Sequence, residues 1–232
     1  MKFSKFDSID ALDEAASEWM IRQLNPDGRT LICAATGNSP TNTYKKFVQK
    51  KSRINSETLS FIKLDEWYGL EMTDAGTCEQ YLQQNLLKPL NIPADRIVSF
   101  DSKAPSPELE CQRIEDWLSA NGPIDICILG IGLNGHIAFN EPEPALEPNA
   151  HPGKLSATSL SHPMLSSAKR NLQIGLTLGM ANILQSKKIL LIVNGNHKTE
   201  VLGKLMAGKI STGLPASFLW LHPEAYCFHC VD

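Results

Sequence analysis

The stretch Ile124-Asp-Ile-Cys-Ile-Leu-Gly130-Ile-Gly-Leu-Asn-Gly-His-Ile-Ala-Phe-Asn-Glu-Pro142 joins an apolar run to a glycine-rich turn. The apolar run is typical of a buried strand in a parallel sheet, and the glycines let the backbone come close to a ligand. His136 lies in the turn and is a candidate acid/base, because an imidazole has an unperturbed pKa of roughly 6.5. Glu141 is placed to orient that ring. A histidine beside a tight turn is more often structural, so both roles stay open.

The same glycines, at 130, 132 and 135, fit the Gly-x-Gly-x-x-Gly pattern of dinucleotide-binding proteins. That pattern requires an amphipathic helix after the turn and an acidic residue at the end of the next strand. Here Asn-Glu-Pro and further prolines up to Pro152 interrupt any such helix, and no strand ending in Asp or Glu follows. The sequence therefore disfavours a nicotinamide or flavin cofactor.

Composition indicates a soluble α/β protein with one core. A chain of 232 residues is long enough for one large domain, and a net charge of −3 provides no basic surface for nucleic acid. The longest apolar runs, such as 189–193, are far shorter than the roughly twenty residues that cross a bilayer. Residues 1–8 also lack a signal-peptide pattern. We therefore expect a cytoplasmic protein that binds neither nucleic acid nor a membrane.

The cysteines are expected to be free thiols. Cys33 and Cys127 lie inside apolar runs, where cysteine packs as a small apolar side chain. Cys227 and Cys230 have the spacing of half a redox or zinc site, but no second ligand pair accompanies them and their segment resembles a strand. Structural use of this pair is favoured over a metal or redox role.

Apolar and amphipathic runs alternate along the chain, which predicts an α/β fold with a doubly wound, mostly parallel sheet and helices on both faces, a modified Rossmann-like arrangement. The predicted strands are 30–34, 59–64, 97–100, 124–129 and 188–193. The predicted helices are 8–24, 40–51, 77–87, 106–120 and 198–207. Nothing indicates a linker, so residues 1–232 are expected to form a single domain.

Residues 141–167 contain five prolines and little regular pattern. A long irregular loop inside a compact domain is usually a lid or binding loop, or is disordered. Because this one directly follows the turn that carries His136, we expect an active-site lid.

Two motifs at strand ends are suited to a phosphate. Ala34-Ala-Thr-Gly-Asn-Ser-Pro40 joins a strand to a helix, with Ser39 expected as N-cap and Pro40 as the first helical residue. The free amides at a helix start and nearby hydroxyls can cradle an anion. Gly195-Asn-His-Lys198 places a lysine at another helix start, where it opposes the helix dipole unless an anion is also present. An ordinary capped loop and a solvated lysine are the competing interpretations.

An acidic pair ends a third predicted strand, in Lys63-Leu-Asp-Glu-Trp67. Ligands of open α/β sheets bind beyond the carboxyl ends of strands, so we expect Asp65 or Glu66 to face the pocket. A partly buried carboxylate there would be a stronger base. More commonly, an acidic pair of this kind only caps a helix or forms salt bridges.

Taken together, Thr36-Gly-x-Ser-Pro40, Leu64-Asp-Glu-Trp67, the glycine turn through Asn-Glu-Pro142 and the lysine loop resemble the glucosamine-6-phosphate deaminase/isomerase family over most of the chain. Lys63-Leu-Asp-Glu-Trp67, Gly76-Thr-Cys-Glu79 and the segment 211–222 are most similar to its galactosamine-6-phosphate isomerase branch. The related 6-phosphogluconolactonases differ, since they carry Asp-Glu-Arg at the strand end and lack Asn-Glu-Pro after the histidine.

The resemblance implies a role for each matching residue in deaminating an amino-sugar 6-phosphate to a ketose 6-phosphate and ammonia. Asp65 would move a proton between C2 and C1, and His136, held by Glu141 with Asn134 beside it, would open the sugar ring. The implied phosphate ligands are Thr36, Gly37, Asn38, Ser39 and Lys198. Neither a metal nor a cofactor is implied.

Some points stay open at the level of sequence. Asn134 falls where some family members carry Asp, and the arginine that members bring to the phosphate aligns confidently with neither Lys169 nor Arg170. Glucosamine-6-phosphate as substrate, lactone hydrolysis and a sugar-phosphate sensor without turnover are the alternative functions. The expected partner is a small sugar phosphate, and a homo-oligomer is neither indicated nor excluded.

Overall fold

Helices and strands follow the alternation of apolar and amphipathic runs. The computed structural model describes residues 1–161, 165 and 172–231. Within them the strands are β1 (Lys2–Lys5), β2 (Thr30–Ala34), β3 (Leu59–Lys63), β4 (Asp65–Trp67), β5 (Ile97–Val98), β6 (Ile126–Leu129), β7 (His151–Lys154), β8 (Ile174–Thr177), β9 (Lys188–Asn194) and β10 (Ala225–Cys230). The α-helices are α1 (Ile9–Gln23), α2 (Asn38–Gln49), α3 (Cys78–Leu82), α4 (Pro107–Asn121), α5 (Ala157–Leu160), α6 (Met180–Leu184) and α7 (Thr199–Met206).

The main sheet is parallel, with the strand order β1-β10-β9-β6-β2-β3-β5. The chain builds outward from β2 to β3 and β5, and then returns to β6 on the other side of β2. Ligands of open α/β sheets bind outside the carboxyl ends of the strands at such a switch point. The predicted doubly wound single-domain fold is confirmed, and it places the loops after β9, β6, β2 and β3 next to one another.

Two apolar cores cover the two faces of this sheet. Helices α1 and α2 bury Trp19 and Phe47 on one face, and α4 and α7 bury Ile114 and Leu202 on the other. Both faces of each central strand are therefore covered, which explains why these strands are continuous apolar runs in the sequence.

The cysteines are free, as predicted. Cys33 and Cys127 are fully buried neighbours on β2 and β6, while Cys227 is buried on β10 and Cys230 is partly exposed at its end. Among the described residues, no group of three or more His, Cys, Asp and Glu side chains could hold a metal ion. No helix in this part of the chain is long and apolar enough to cross a bilayer.

A second, antiparallel sheet with the order β4-β8-β7 is not indicated by the sequence pattern. The prediction of an irregular segment over 141–167 is therefore wrong at 151–160, where β7 and α5 lie. The positions 162–164, 166 and 167 lie outside the described residues. Strand β7 has the sequence His-Pro-Gly-Lys and is held to β8 by backbone pairing. Its side chains show no apolar alternation from which a strand could be predicted.

The predicted strand 59–64 also differs from the structure. It ends at Lys63, and the acidic pair begins β4 in the second sheet. The predicted helix 77–87 is α3 followed by a π-helical turn, Gln83–Leu87. Most of the other predicted elements differ from the observed ones by one or two residues at their ends.

Candidate active site

A pocket of about 340 Å³ lies at the carboxyl edge of the main sheet, outside the switch point between β2 and β6. The loops after β2, β3, β6 and β9 all contribute to its walls, and these are the loops that carry the four sequence motifs. Predicted site residues that line it are Thr36, Gly37, Asn38, Ser39, Asp65, His136 and Lys198. The structure thus brings the four motifs together around one space large enough for a small sugar phosphate.

The start of α2 forms an anion-suited end of the pocket. Its N-cap is Gly37, whose φ of 102° lies in the left-handed region that favours glycine. The prediction of Ser39 as N-cap and Pro40 as first helical residue is therefore wrong, because Gly37 turns the chain into the helix two residues earlier. Asn38 and Ser39 become the first two helical residues, and amides at these positions have no partner within a helix. They are suited to bind an anion.

Lys198 brings a positive charge to the same pocket. Its Nζ donates to the carbonyl of Ile131 at 2.5 Å, and burial lowers its pKa. Asn194 donates from Nδ2 to the carbonyl of Ser39 at 3.3 Å, which links the loop after β9 to the start of α2. A cation at a helix start opposes the helix dipole, and a bound anion would stabilise this arrangement.

Asp65 is a buried carboxylate in the pocket, with 7% of its surface exposed. Burial raises the pKa of its carboxyl, and the charge of Glu66 raises it further, while a hydrogen bond from Cys78 and the charge of Lys63 oppose these effects, giving a pKa of about 7. A base whose pKa lies near the working pH combines a useful ionised fraction with strong proton affinity. Asp65 can therefore abstract a proton from a weakly acidic carbon.

Glu66, by contrast, has a structural role. It is fully buried, and Oε2 accepts a hydrogen bond from Lys63 Nζ at 2.8 Å. Its carboxylate also accepts hydrogen bonds from the backbone amides of Cys78, at 3.0 Å, and Glu79, at 2.9 Å. These are the first two residues of α3. The acidic pair is thus divided, since Asp65 lines the pocket and Glu66 fixes the start of α3 to β4.

His136 and Glu141 form a hydrogen-bonded pair beside Asp65's pocket. The distance from His136 Nδ1 to Glu141 Oε2 is 3.2 Å. A Cβ atom on Gly132 would lie 2.3 Å from the imidazole, so only glycine at this position leaves room for the ring. Because Nδ1 is engaged by the carboxylate, Nε2 is the nitrogen that is left for a ligand.

Several donors hold Glu141 in its ionised form. Asn134 Nδ2 donates to Oε2 at 2.8 Å, Ser156 Oγ donates to Oε1 at 2.9 Å, and Ser159 Oγ makes a further short bond to Oε1. Burial raises the pKa of Glu141, but the hydrogen bond and charge of His136, with the bonds from Ser159 and Asn134, outweigh burial and lower the pKa to about 2. An ionised Glu141 accepts a hydrogen bond from Nδ1–H and can stabilise an imidazolium.

Aromatic residues form an apolar wall of the pocket. Trp67 and Phe139 pack at a ring-centroid distance of 4.5 Å with an interplanar angle of 46°, and both are more than nine-tenths buried. Leu64 and Leu133 extend this apolar lining. Such a wall can pack against the C–H groups of a sugar while the opposite side binds its polar groups.

Sequence reasoning placed most of these residues and missed others. Lys169 and Arg170 lie outside the described residues, so their candidacy for the phosphate stays a prediction. The missed residues near the site are Cys78, Ser156, Ser159, Asn194 and His197. Two of them left a signal, because Cys78 belongs to a motif that resembles the galactosamine-6-phosphate branch and His197 belongs to the Gly195-Asn-His-Lys198 loop. The serines lie in the segment predicted to be irregular.

Comparison with known proteins identifies the family. The sequence profile described as glucosamine-6-phosphate isomerases/6-phosphogluconolactonase matches residues 4–227 of the 232. The chain belongs to this family. It is 40% identical over 219 residues to an Escherichia coli (strain K12) protein named "Putative deaminase AgaI", covering 94% of this chain and 87% of that protein. It is 33% identical to a glucosamine-6-phosphate deaminase of Clostridium acetobutylicum, covering 97% and 95% of the two chains.

Solved structures of family members share the fold. A monomeric glucosamine-6-phosphate deaminase superposes with a TM-score of 0.93 at 28% identity, covering 99% of this chain and 97% of the other. A 6-phosphogluconolactonase from Thermotoga maritima gives a TM-score of 0.80 at 20% identity, covering 100% and 99%. The second likeness is one of fold alone.

Proposed function

We propose that this protein is an amino-sugar-6-phosphate deaminase that isomerises its substrate, with galactosamine-6-phosphate as the preferred substrate. The observation that carries the proposal is the presence in one pocket of a buried carboxylate with a raised pKa, a His–Glu pair, and an anion-suited helix start with a lysine. A protein that only bound a sugar phosphate would need the last of these and neither of the proton-transfer groups. Relatives named glucosamine-6-phosphate deaminase support the reaction class.

Substrate binding would begin at the phosphate. The amides of Gly37, Asn38 and Ser39, the Thr36 hydroxyl and the Lys198 ammonium form the phosphate end of the pocket. Binding energy from this remote group holds the reacting carbons over Asp65 and beside His136.

Ring opening is the first chemical step. His136 Nε2 accepts the proton of the C1 hydroxyl and delivers it to the ring oxygen, so the hemiacetal becomes an aldehyde and the histidine is unchanged. Glu141 stabilises the charged imidazole and fixes its orientation. Asn134 supports Glu141 without adding a charge.

Isomerisation and deamination follow at C1 and C2. The aldehyde acidifies the C2 proton, which Asp65 removes to form an enolamine and then delivers to C1. The product is a C2 imine, water adds to it, and ammonia leaves as the ketose 6-phosphate forms. Each proton transfer contributes about two to four orders of magnitude to the rate.

The preference for galactosamine-6-phosphate rests on two features. Three segments of the sequence resemble the galactosamine-6-phosphate branch, including Gly76-Thr-Cys-Glu79. In addition, a galacto-configured ring has an axial C4 hydroxyl and presents the hydrogens of C3, C4 and C5 on its opposite face. The wall of Trp67 and Phe139 suits that apolar face.

The test of this function is a comparison of initial rates on three substrates. Ammonia release from galactosamine-6-phosphate and glucosamine-6-phosphate is measured beside hydrolysis of 6-phosphogluconolactone. We expect ammonia from both amino sugars, with the higher kcat/KM for the galactosamine compound. A higher kcat/KM for the glucosamine compound would overturn the substrate preference alone. Lactone hydrolysis without ammonia, or saturable binding without turnover, would overturn the reaction class.

Lys198→Met is expected to weaken phosphate binding. Loss of a charged hydrogen bond should raise KM about tenfold to a hundredfold, with a smaller effect on kcat. The Ki of inorganic phosphate as a competitive inhibitor should rise by a similar factor. Lys204→Met on α7, the helix that follows Lys198, is the matched control, because Lys204 is exposed and pairs with Glu200 on the surface. An unchanged KM and Ki for Lys198→Met would remove Lys198 from the phosphate site.

Residues 141–161 and 165 are the described part of the proposed lid. Thr158, Ser159 and Ser161 line the pocket, and Ser159 bonds to Glu141. Substrate contacts should stabilise this segment, so its protease cleavage and amide exchange should slow when substrate or inorganic phosphate is bound. Equal cleavage with and without ligand would contradict a lid.

A further inference from the structure

Cys78 lies between Asp65, the proposed base, and the loop after β2 that carries the proposed phosphate ligands. It is the first residue of α3 and is 1% exposed. Thr36 Oγ1 donates to its sulfur at 3.3 Å, and the thiol donates to Asp65 Oδ1 at 3.6 Å. A thiol is a weak donor and a weak acceptor, and here both capacities are used. Its two contacts join the loop after β2, α3 and β4.

The position of Cys78 is fixed by the backbone of α3. Its amide donates to Glu66 Oε1 at 3.0 Å, and Glu66 is in turn held by Lys63. Thr77 caps the same helix start by accepting the amide of Gln80. The backbone of Cys78 is therefore fixed relative to β4, and its two side-chain hydrogen bonds hold the sulfur beside Asp65.

The thiol acts as a donor under all ordinary conditions. Burial raises its pKa well above the usual value for cysteine, and the charges of Glu66 and Asp65 raise it further. It therefore stays protonated at the pH where Asp65 titrates. A thiolate, which would repel the carboxylate, does not form there.

We propose that Cys78 is a positioning residue for the base: its thiol holds Asp65 Oδ1, so that Oδ2 is the oxygen presented to the sugar. This inference rests on the assignment of Asp65 as the base in the proposed function. The thiol also lowers the basicity of Asp65, whose pKa is raised mainly by burial. A stronger donor would stabilise the ionised carboxylate more and make it a weaker base, whereas a thiol orients the carboxylate at a smaller loss of basicity.

Other titratable and charged groups act on the same carboxylate. Glu66 raises its pKa and Lys63 lowers it, and both lie beside it along the chain. The charge of Asp65 in turn contributes to the raised pKa values of the buried Cys33 on β2 and Tyr44 on α2. A substitution at Cys78 leaves all four in place. A change in the titration of Asp65 in such a variant therefore reports the thiol contact.

The test is a carboxyl ¹³C NMR titration of Asp65 in the ligand-free enzyme, with the signal assigned by its loss in Asp65→Asn. Cys78→Ala removes the donor and should raise the midpoint by about half to one pH unit. Cys78→Ser restores a donor, so its midpoint should lie below that of Cys78→Ala. Cys227→Ser, which changes a buried thiol on β10 remote from the pocket, should leave the midpoint unchanged.

The acid limb of kcat/KM for ammonia release should move with the NMR midpoint, to higher pH in Cys78→Ala. An unchanged midpoint in Cys78→Ala, or equal midpoints in the Ala and Ser variants, would overturn the role of Cys78. These results are separable from failure of the proposed function. A wild-type enzyme that releases no ammonia removes Asp65's role as base, and with it this inference, whereas an active enzyme with an unchanged midpoint removes the role of Cys78 alone.

Discussion

Asp65→Asn is expected to lower kcat/KM for ammonia release by about two to four orders of magnitude, which is the usual contribution of a general base. Asparagine has nearly the same shape and cannot accept the C2 proton. Substrate affinity should change little, because the proposed phosphate contacts lie at the start of α2 and at Lys198. The measurement is steady-state kinetics with a direct binding titration. Full activity in Asp65→Asn would show that another group is the base.

The pH dependence of the wild-type enzyme provides a second readout of the same residue. Asp65 must be ionised to act as a base, and its pKa is about 7, so kcat/KM should fall as pH drops below 7. The stability of the fold should change with pH in the opposite direction. A folded-state pKa raised above its unfolded value of roughly 3.9 means that stability is lost as pH rises from 4 to 7. Asp65→Asn removes this loss, so its unfolding free energy should exceed that of wild type more at pH 8 than at pH 4.

Glu141→Gln is the substitution with the second-largest expected effect. The amide group replaces one of two oxygens that accept bonds from His136, Asn134, Ser156 and Ser159, so at least one buried donor would face an NH₂ group. His136 would also lose the carboxylate that stabilises its charged form. We expect kcat to fall about a hundredfold or more.

Two measurements separate ring opening from binding in this variant. A reduced, acyclic 2-amino-2-deoxyhexitol 6-phosphate should bind Glu141→Gln nearly as well as wild type, because it needs no ring opening. Glu143→Gln, an exposed neighbour in the same segment, is the control. Equal loss of kcat and of affinity for the acyclic compound would contradict a role in ring opening.

The pH dependence of the unfolding free energy should also report the ionised state of Glu141. Its pKa is lowered to about 2, so its contribution to stability is present above the unfolded pKa of roughly 4.3 and is lost as pH falls toward 2. Wild type should therefore be more stable than Glu141→Gln at pH 7, with the gap narrowing at pH 3. A gap that does not change with pH would assign the difference to packing.

Sequence reasoning was sufficient for the central strands of the parallel sheet but did not predict its edge strand β1. Strands β2, β3, β6 and β9 are apolar runs because both of their faces are buried, and this leaves a signal in composition. The antiparallel β7 carries Pro and Gly and pairs through its backbone, so no side-chain period marks it. The start of α2 was placed two residues late because Ser39 and Pro40 form a standard capping pattern, while the left-handed Gly37 determines the actual start.

The candidate site, like the fold, could be predicted from the sequence only in part. Asp65, His136 and Lys198 could be assigned to one pocket because each follows a parallel strand, and such ends meet at one edge of the sheet. Cys78 and Ser159 reach Asp65 and Glu141 through tertiary packing of α3 and α5. Side-chain contacts between elements far apart in the chain leave no trace in local spacing.

The most direct test of the joint action of Asp65 and His136 on one sugar is product analysis in D₂O. Wild-type enzyme is incubated with galactosamine-6-phosphate, and ¹³C and ¹H NMR follow C1 and C2 while ammonia is assayed. We expect ketose 6-phosphate and ammonia in equal amounts, with hydrogen from C2 or solvent deuterium at C1, and neither product from Asp65→Asn. Unreacted sugar phosphate under saturating conditions, or product formed equally by Asp65→Asn, would contradict the proposed chemistry.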